Sequence, residues 1–365
     1  MRVWVVGLGT VGCWLLRALD AQSERLADRY GVAPSVVGAA NARYGFVHDP
    51  NGLDLPTLLE LAAGRRPLTE HPGVRHWPTA AEGLRATEAD VLVEVTSSPS
   101  TDGEPGFMHM REALSRQIAV VTSNKWPVAL HGVALAELAR NGAVPFRAES
   151  TVMSGTPVLS TLVDGLAGTT PIALRGILNA TANFILCRMA AGASYDDALA
   201  EAQKTGLAER DTTADVEGYD AMAKAMILAG LVFGTQLRPE EVGRTGITGV
   251  GRAEIEEAAS VGARIGLVAT LEKSRGDLSA RVEPELLRRE DPLASVEGTT
   301  NAVVCTAEPV GEVTVIGPGA GLALAGQGVL SDLIAVARRS RFPLSSSSSR
   351  PSWPGPRSTR EGHPR

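Results

Sequence analysis

Short apolar runs rich in β-branched residues alternate with helix-like segments through the first part of the chain. Such runs predict buried strands, and the segments that follow them carry apolar residues at helical spacing. The predicted strands cover 3–6, 35–40, 90–98, 118–122 and 144–148. Strands alternating with helices in this way favour an α/β fold with a doubly wound parallel sheet.

The second part of the chain has a different pattern. Strand-like segments there are separated by acidic loops and helices, as in an α+β unit. The predicted strands cover 172–177, 279–283, 299–306 and 312–316. The apolar run 260–266 predicts a helix, and a glycine-rich turn at 317–321 precedes another at 322–339. The final residues are Pro, Ser, Arg and Gly with a run of five serines, which predicts a disordered tail over 342–365.

Composition narrows the class of protein. A chain of 365 residues is long enough for two domains with full cores. Its net charge of −6 gives no signal for nucleic acid binding. The three cysteines lie far apart, which argues against a zinc site and for a reducing compartment. With no signal peptide and no bilayer-spanning apolar run, we expect a cytoplasmic protein without a membrane partner.

A glycine motif follows the first strand directly and precedes a helical pattern. It reads Gly7-Leu8-Gly9-Thr10-Val11-Gly12. In this strand-turn-helix setting Gly7 permits the tight turn, Gly9 lets a pyrophosphate approach the backbone, and Gly12 lets helix and strand pack closely. The motif predicts a Rossmann-type dinucleotide site, although a tight turn without a ligand has the same residues.

The end of the second strand bears on the choice of cofactor. NAD-binding folds usually place an acidic residue there to bind the ribose 2′-hydroxyl. This chain has Asn41 at that place and Arg43 two residues later, where a guanidinium could meet a 2′-phosphate. NADP is therefore slightly favoured over NAD; the alternative is that Arg43 is an ordinary surface residue.

Polar residues follow two further strands of the predicted sheet. Thr96 and Ser97 end the third, and Lys125 comes directly after the fourth. Because ligands bind at the carboxyl ends of parallel strands, these residues are expected to contact the cofactor. A lysine there could also protonate a carbonyl oxygen, or it could lie on the surface.

The stretch 206–224 concentrates acidic residues ahead of a helix. Its carboxylates are Glu209, Asp211, Asp215, Glu217 and Asp220. Asp220 and Lys224 lie one helical turn apart, and the rest of the helix through Val232 is apolar or small. A solvated ion pair is one interpretation. A buried helix whose only charges are this pair favours a functional one, since charges in a core are rare unless paired or functional.

Two more junctions carry polar groups. The loop 149–157 offers Glu149 and several backbone carbonyls that could hold a monovalent cation, or it could be a capped turn. The Asn179 and Thr181 region puts amide and hydroxyl groups at a strand-helix junction, of a kind that binds the polar ends of an amino acid.

Taken together, these segments resemble homoserine dehydrogenase over about residues 3–339. The matching motifs are GLGTVG at 7–12, SNK at 123–125, ESTVMSGTP at 149–157, GILNATANFIL at 176–186, GLAERDTTADVEGYDAMAK at 206–224 and GPGAG at 317–321. The resemblance implies a Rossmann domain (1–147), an inserted α+β catalytic and dimerisation domain (148–310) and a segment returning to the first domain (311–341). It also implies a homodimer, in the short form without a regulatory domain.

The resemblance also implies roles for single residues. Lys224 takes the place of the proton donor, and Lys125 that of a cofactor-side lysine also invoked in proton transfer. Asp220 and Glu209 take the places that bind homoserine, with Asp215 close by. The cofactor contacts matched by position are Thr10, Val11, Thr96, Lys125 and Gly321, and the sodium loop is matched by Glu149, Val152, Ser154 and Thr156.

The implied reaction is the reversible NAD(P)-dependent reduction of L-aspartate 4-semialdehyde to L-homoserine. The chain departs from the family at Ala180, Ala182 and Thr212, where the family usually has Gly, Thr and Pro. A Cβ at Ala180 predicts a shifted turn beside the substrate pocket. Two alternatives therefore stay open: a dehydrogenase for a different amino-aldehyde or hydroxy acid, and a relative that binds NAD(P) without turnover.

Overall fold

The structure, a computed structural model, describes residues 1–340, so the predicted tail at 342–365 lies outside the described residues. The chain forms two sheets covered by helices. The strands are β1 Arg2–Val6, β2 Ser35–Asn41, β3 Gly45–His48, β4 Arg75–Trp77, β5 Val91–Glu94, β6 Ala119–Thr122, β7 Phe146–Arg147, β8 Thr170–Ile177, β9 Val242–Arg244, β10 Ala263–Ser274, β11 Asp277–Arg288, β12 Thr300–Glu308 and β13 Gly311–Pro318.

Thirteen α-helices are found among the described residues. They are α1 Thr10–Ala21, α2 Ser23–Tyr30, α3 Leu55–Ala63, α4 Ala80–Ala86, α5 Gly106–Ser115, α6 Lys125–Asn141, α7 Ser150–Met153, α8 Ala180–Ala190, α9 Tyr195–Lys204, α10 Thr213–Val216, α11 Tyr219–Val232, α12 Arg252–Ser260 and α13 Leu322–Ser340. A π-helical segment, Ser160–Gly165, follows α7. Within residues 1–340, none of the helices combines the length and apolar character that crossing a bilayer requires.

The first sheet has the strand order β4-β3-β2-β1-β5-β6-β7. Its strands β2, β1, β5, β6 and β7 are parallel, which confirms the predicted Rossmann-type α/β fold. The edge strands β3 and β4 are antiparallel to their neighbours, and neither is among the predicted strands. The three-residue β4 is largely exposed, so it carries no apolar run that a pattern could reveal.

The second sheet has the order β13-β12-β8-β10-β11-β9. The predicted helix at 260–266 was wrong, because β10 begins at Ala263 and continues to Ser274. The centre of this strand pairs with both β8 and β11, and Val268 and Leu271 are fully buried there. A seven-residue apolar window does not distinguish a buried strand from a buried helix, and here the apolar run continues past it.

Helix α13 brings the end of the described chain back to the first sheet. Val329, Leu330 and Leu333 on α13 share an apolar cluster with Leu15 of α1. A Cβ at Gly326 would lie 2.2 Å from the Trp14 ring, so only glycine allows this close approach. Strand β13, however, pairs with β12 in the second sheet, and the return therefore begins after it rather than at residue 311.

Asp332 of α13 is a buried carboxyl at the junction of the two sheets. It accepts the backbone N–H of Glu149 at 2.9 Å, and burial raises its pKa to about 7. Because this folded-state pKa exceeds the ordinary value of 3.8, the native state holds the proton more tightly than the unfolded chain. The resulting stability is greatest below about pH 4 and is lost as the pH rises toward 7.

Replacing Asp332 by Asn is expected to stabilise the protein at pH 8 by about 2–4 kcal/mol relative to wild type, and by much less at pH 5. The amide oxygen can still accept the Glu149 N–H without burying a charge. Thermal unfolding of both proteins at the two pH values measures the difference. Asp28→Asn on the exposed face of α2 is the control, and a gain for Asp332→Asn that is equal at both pH values would contradict the assignment.

Candidate active site

The glycine turn after β1 has the geometry that the motif predicts. Gly7 has φ +113°, and a Cβ there would lie 2.7 Å from the Val95 carbonyl group. A Cβ at Gly12 would lie 2.0 Å from the Gly7 carbonyl oxygen. At Gly9, by contrast, no atom lies within 4 Å of the Cβ position. The backbone is therefore open at Gly9, directly before the N-terminus of α1, where a pyrophosphate would bind.

The other predicted cofactor residues lie along the same edge of the sheet. Val6 pairs with Ala40 and Glu94, and Glu94 pairs with Thr122, so the strands end side by side. The residues after these ends are Leu8, Thr10 and Val11, then Asn41 and Arg43, then Thr96 and Ser97, and finally Lys125. Gly321 lies far along the sequence, directly before α13. Its carbonyl accepts the N–H of Ala325 in the first turn of that helix.

Arg43 lies exposed beyond the end of β2. Its backbone N–H donates to the side-chain oxygen of Asn41 at 2.9 Å. Its guanidinium lies 5.9 Å from the centre of the Tyr44 ring. Asn41 thus shapes the turn that carries Arg43, and the guanidinium is accessible to a ligand at this edge.

Two lysines from different parts of the chain converge on one carboxylate. Lys125, at the start of α6, forms an ion pair with one oxygen of Asp220. Lys224 lies 2.8 Å from the other oxygen of Asp220, one turn along α11. Lys224 also donates to the backbone carbonyl of Leu178 at 2.6 Å. Asp220 and Lys224, predicted as a pair, thus form a triad with Lys125. The triad connects the sheet edge where the cofactor is expected to the buried helix α11.

Asn179 connects this triad to a second carboxylate. Its side-chain N–H₂ donates to Asp215 at 2.7 Å and to Asp220 at 3.0 Å. Its side-chain oxygen accepts the N–H of Ala182 and so caps α8. Ala180 is the first residue of that helix and is not among the residues with positive φ. The predicted shift of this turn is therefore not needed, since a Cβ fits the helical conformation.

The pKa values of the two lysines in the triad are shifted in opposite directions. The negative charge of Asp220 raises the pKa of Lys125. Burial lowers the pKa of Lys224, and Asp220 offsets only part of that effect. Burial alone would raise the pKa of Asp220, but Lys224 and Lys125 hold it well below its usual range. Burial raises the pKa of Asp215. Lys224 is thus the lysine that releases its proton more easily.

Glu209 lies apart from these residues. It is exposed in the loop between α9 and α10, where its backbone carbonyl accepts a hydrogen bond from Gln203. The structure brings together Lys125, Asn179, Asp215, Asp220 and Lys224, but it does not bring the Glu209 carboxylate to them.

The loop 149–157 contains the short helix α7. The Glu149 carboxylate accepts the backbone N–H groups of Leu159 and Ser160 at 2.7 and 2.8 Å. The hydroxyls of Ser154 and Thr156 donate to the carbonyls of Gly319 and Pro318. Among the described residues no group of three or more His, Cys, Asp or Glu side chains could hold a metal ion. A cation here would depend on backbone carbonyls, because the Glu149 carboxylate is already engaged.

Glu94 is a further residue of this sheet edge that the sequence pattern could have indicated but that was not predicted. Glu94 is a charged residue in the middle of the apolar run Val91-Leu92-Val93-Glu94-Val95, and it is fully buried. A carboxylate inside a predicted core strand needs partners or a function.

Comparison with known proteins finds relatives that align with most of the chain. The family model for homoserine dehydrogenase matches residues 157–334. The NAD(+)-dependent homoserine dehydrogenase of Pseudomonas canavaninivorans is 38% identical, over 91% of this chain and 95% of that protein. The homoserine dehydrogenase of Mycobacterium tuberculosis is 37% identical, over 92% of this chain and 72% of its own length.

Solved structures give the same result. A putative homoserine dehydrogenase from Archaeoglobus fulgidus superposes with a TM-score of 0.80 at 31% identity, covering 92% of this chain and 99% of that one. A hyperthermophilic archaeal homoserine dehydrogenase in complex with NADPH has a TM-score of 0.77 at 31% identity, covering 94% and 98%. With this sequence identity over nearly the whole length of both chains, the protein belongs to the homoserine dehydrogenase family.

Proposed function

We propose that the Lys125, Asp220 and Lys224 triad carries the proton transfer in the reversible conversion of L-aspartate 4-semialdehyde to L-homoserine. As a homoserine dehydrogenase, the protein is an NAD(P)-dependent oxidoreductase that acts on a CH–OH group. The observation that carries the proposal is the convergence of two lysines from different elements on one buried carboxylate. A protein that only bound NAD(P) would not need this arrangement.

The open backbone at Gly9 and the N-terminus of α1 fit the pyrophosphate of a nicotinamide dinucleotide. When bound, the cofactor supplies or accepts the hydride. The protein must then exchange a proton with the substrate oxygen. Lys224 suits this role because burial lowers its pKa, and a group that titrates closer to neutrality exchanges protons more easily.

The remaining residues of the cluster orient the lysines and bind the substrate. Asp220 holds both ammonium groups, and the Leu178 carbonyl fixes Lys224 from the other side. Asp215 and Asp220 supply carboxylate oxygens for the ammonium group of the amino acid, and Asn179 orients both. Glu209 would contribute only after its loop moves towards the cluster.

The test is the rate of NAD⁺ and NADP⁺ reduction by the wild-type protein with L-homoserine and with close hydroxy amino acid analogues. We expect turnover of homoserine and a kcat/KM at least about tenfold higher than for the analogues. A preference for an analogue would instead support the dehydrogenase with a different substrate. Tight cofactor binding without turnover of any of these compounds would support the non-catalytic alternative.

Cofactor preference is proposed to depend on Arg43. Its guanidinium is exposed beyond β2 and can pair with a 2′-phosphate, which supports use of NADP. Asn41 leaves the place of the usual acidic residue neutral, so NAD is also accepted. The Pseudomonas canavaninivorans relative is named as NAD(+)-dependent, and the archaeal structure is a complex with NADPH.

Replacing Arg43 by Ala is expected to raise the KM for NADP⁺ about tenfold and to leave the KM for NAD⁺ within about twofold, since one charge-assisted contact to phosphate is lost. Steady-state kinetics with both cofactors measure the ratio. Arg29→Ala on α2 is a control with an exposed arginine in the same domain. Equal KM changes for both cofactors would contradict a contact to the 2′-phosphate.

A sodium ion is proposed at the loop 149–157. Oxygen ligands suit such a cation, and the C-terminal end of α7 supplies backbone carbonyls, including those of Val152 and Ser154, with the carbonyl rather than the carboxylate of Glu149. Activity measured in sodium, potassium and choline salts at equal ionic strength tests the site. Equal rates in all three would leave the loop a purely structural junction.

We also propose a domain division, an assembly and a location for the protein. Residues 1–147 with α13 form the cofactor part, and 148–318 the catalytic part. A homodimer would bury the exposed apolar side chains Leu286 and Ile316 of the second sheet. A cytoplasmic location is supported by three free cysteines.

A further inference from the structure

Glu94 is a charged residue in an inner strand of the first sheet. It ends β5, which lies between β1 and β6, and its side chain is completely shielded from solvent. Removing a carboxylate from water costs several kcal/mol unless partners compensate. Its partners therefore indicate what the charge is for.

The Glu94 carboxylate binds the two loops that follow β5 and β6. One oxygen accepts the hydroxyl of Thr96, and the other accepts the side-chain N–H₂ of Asn124 at 3.0 Å. His109 of α5 lies behind it, with Nδ1 at 3.6 Å. Thr122 donates its hydroxyl to the Glu94 backbone carbonyl at 2.8 Å. Both loops belong to the edge where the dinucleotide is proposed to bind.

Asn124 carries this restraint to the lysine. Its amide contacts the Ser98 hydroxyl at 2.8 Å, and its backbone N–H donates to the Thr122 hydroxyl at 3.0 Å. Asn124 is also the residue directly before α6, and Lys125 is the first residue of that helix. The position of Lys125 thus depends on a network whose central charge is Glu94.

The same network sets the hydrogen-bonding character of Thr96. A hydroxyl has one hydrogen and two lone pairs, and the hydrogen of Thr96 is given to Glu94. Thr96 is half-buried at the sheet edge. One lone pair already faces the side-chain N–H₂ of Asn124 at 3.1 Å. Towards a ligand, the hydroxyl can therefore only accept one hydrogen bond.

We propose that Glu94 is a positioning residue that holds Thr96 as a hydrogen-bond acceptor for the nicotinamide riboside half of the cofactor and fixes the start of α6 for Lys125. The groups recognised are O–H or N–H donors, such as the ribose hydroxyls or the carboxamide. The inference rests on the proposed function, because it assigns a part of the same site. It adds a residue that makes no contact with the substrate.

The test is Glu94→Gln, which keeps the size of the side chain but replaces one acceptor oxygen with a donor. If the new N–H₂ group faces Thr96, the Thr96 hydroxyl must turn. If it faces Asn124, two donor groups oppose each other. We expect the Kd for NADH and NADPH to rise about tenfold, with a similar fall in kcat and a homoserine KM within about threefold of wild type. Kd is measured from the fluorescence of the reduced nicotinamide.

A double-mutant cycle separates this role from a general loss of packing. If Glu94 acts through Thr96, the double variant Glu94→Gln with Thr96→Val raises the cofactor Kd by less than the product of the two single fold-changes. Thr87→Val is the matched control, because it removes another buried hydroxyl of the same domain, which donates to the Gly83 carbonyl. It is expected to lower Tm without changing the cofactor Kd.

Wild-type Kd values in Glu94→Gln, with a fall in Tm like that of Thr87→Val, would overturn the proposal and leave Glu94 a structural residue. If Glu94→Gln does not fold, Glu94→Asp retracts the charge by one methylene group, and the same Kd criterion applies. The proposed function is judged separately: wild-type protein that binds NADPH but does not oxidise homoserine contradicts that function, while the Kd of the variants still decides the role of Glu94.

Discussion

Lys224→Ala is expected to lower kcat for homoserine oxidation by about 10³-fold or more while the Kd for NADPH stays within about twofold of wild type. General acid-base catalysis contributes about 10²–10⁴-fold, and the substitution removes the group proposed to exchange the proton. Asp220 keeps its second partner, Lys125, in this variant, so the buried carboxylate is not left alone.

The wild-type pH profile gives an independent check of the same residue. Lys224 must be neutral to accept the proton in homoserine oxidation, so the rate in that direction rises with pH through its lowered pKa. The reduction of the aldehyde needs the protonated form and falls over the same range. In Lys224→Ala this dependence of both rates on pH is expected to be absent.

A matched control is Lys204→Ala, at the exposed C-terminal end of α9. It is expected to retain wild-type kcat and pH profile. If Lys224→Ala kept more than about a tenth of the wild-type kcat, the proton would have to move through another group. Lys125 would be the next candidate, because it binds the same carboxylate.

Asp220→Asn is expected to lower kcat/KM by about 10²-fold and the stability of the fold by about 3–5 kcal/mol, because two ammonium groups lose their shared counter-charge. Asp220 raises the pKa of both Lys125 and Lys224. Its loss therefore lowers both values, and the remaining activity in homoserine oxidation should rise at a lower pH than in wild type.

The pH-rate profile and thermal unfolding of Asp220→Asn measure these two effects. Asp211→Asn is the control in the same acidic stretch, where the exposed carboxylate accepts the N–H of Thr213. An activity profile of Asp220→Asn that coincides with that of wild type would show that Asp220 does not set the lysine proton affinities.

The sequence predicted those parts of the site whose residues are close together in the chain. The glycine turn at 7–12 and the one-turn spacing of Asp220 and Lys224 are local patterns, and the structure has both. That Lys125 binds the same carboxylate is a long-range contact, which no spacing in the chain encodes. The resemblance placed both lysines in one reaction but did not give this contact.

The failures have equally specific causes. Residues 260–266 predict a helix because so short a run fits either period, and only the pairing of β10 with two neighbours decides for a strand. Ala180 was expected to shift a turn, but it is the first residue of α8, which Asn179 caps, and its φ is not positive. Glu209 matched by position and lies exposed in its loop, so its role in binding homoserine stays a prediction.

The packing of α13 on α1 has a consequence for how the protein is made. The last described helix covers the first one, with Gly326 against Trp14 and Leu333 in the same cluster as Leu15. A ribosome adds about 5–20 residues per second, so roughly 15–65 s pass between the synthesis of α1 and that of α13. During synthesis this apolar face is exposed, and chaperones that bind nascent chains have their longest access to the cofactor domain.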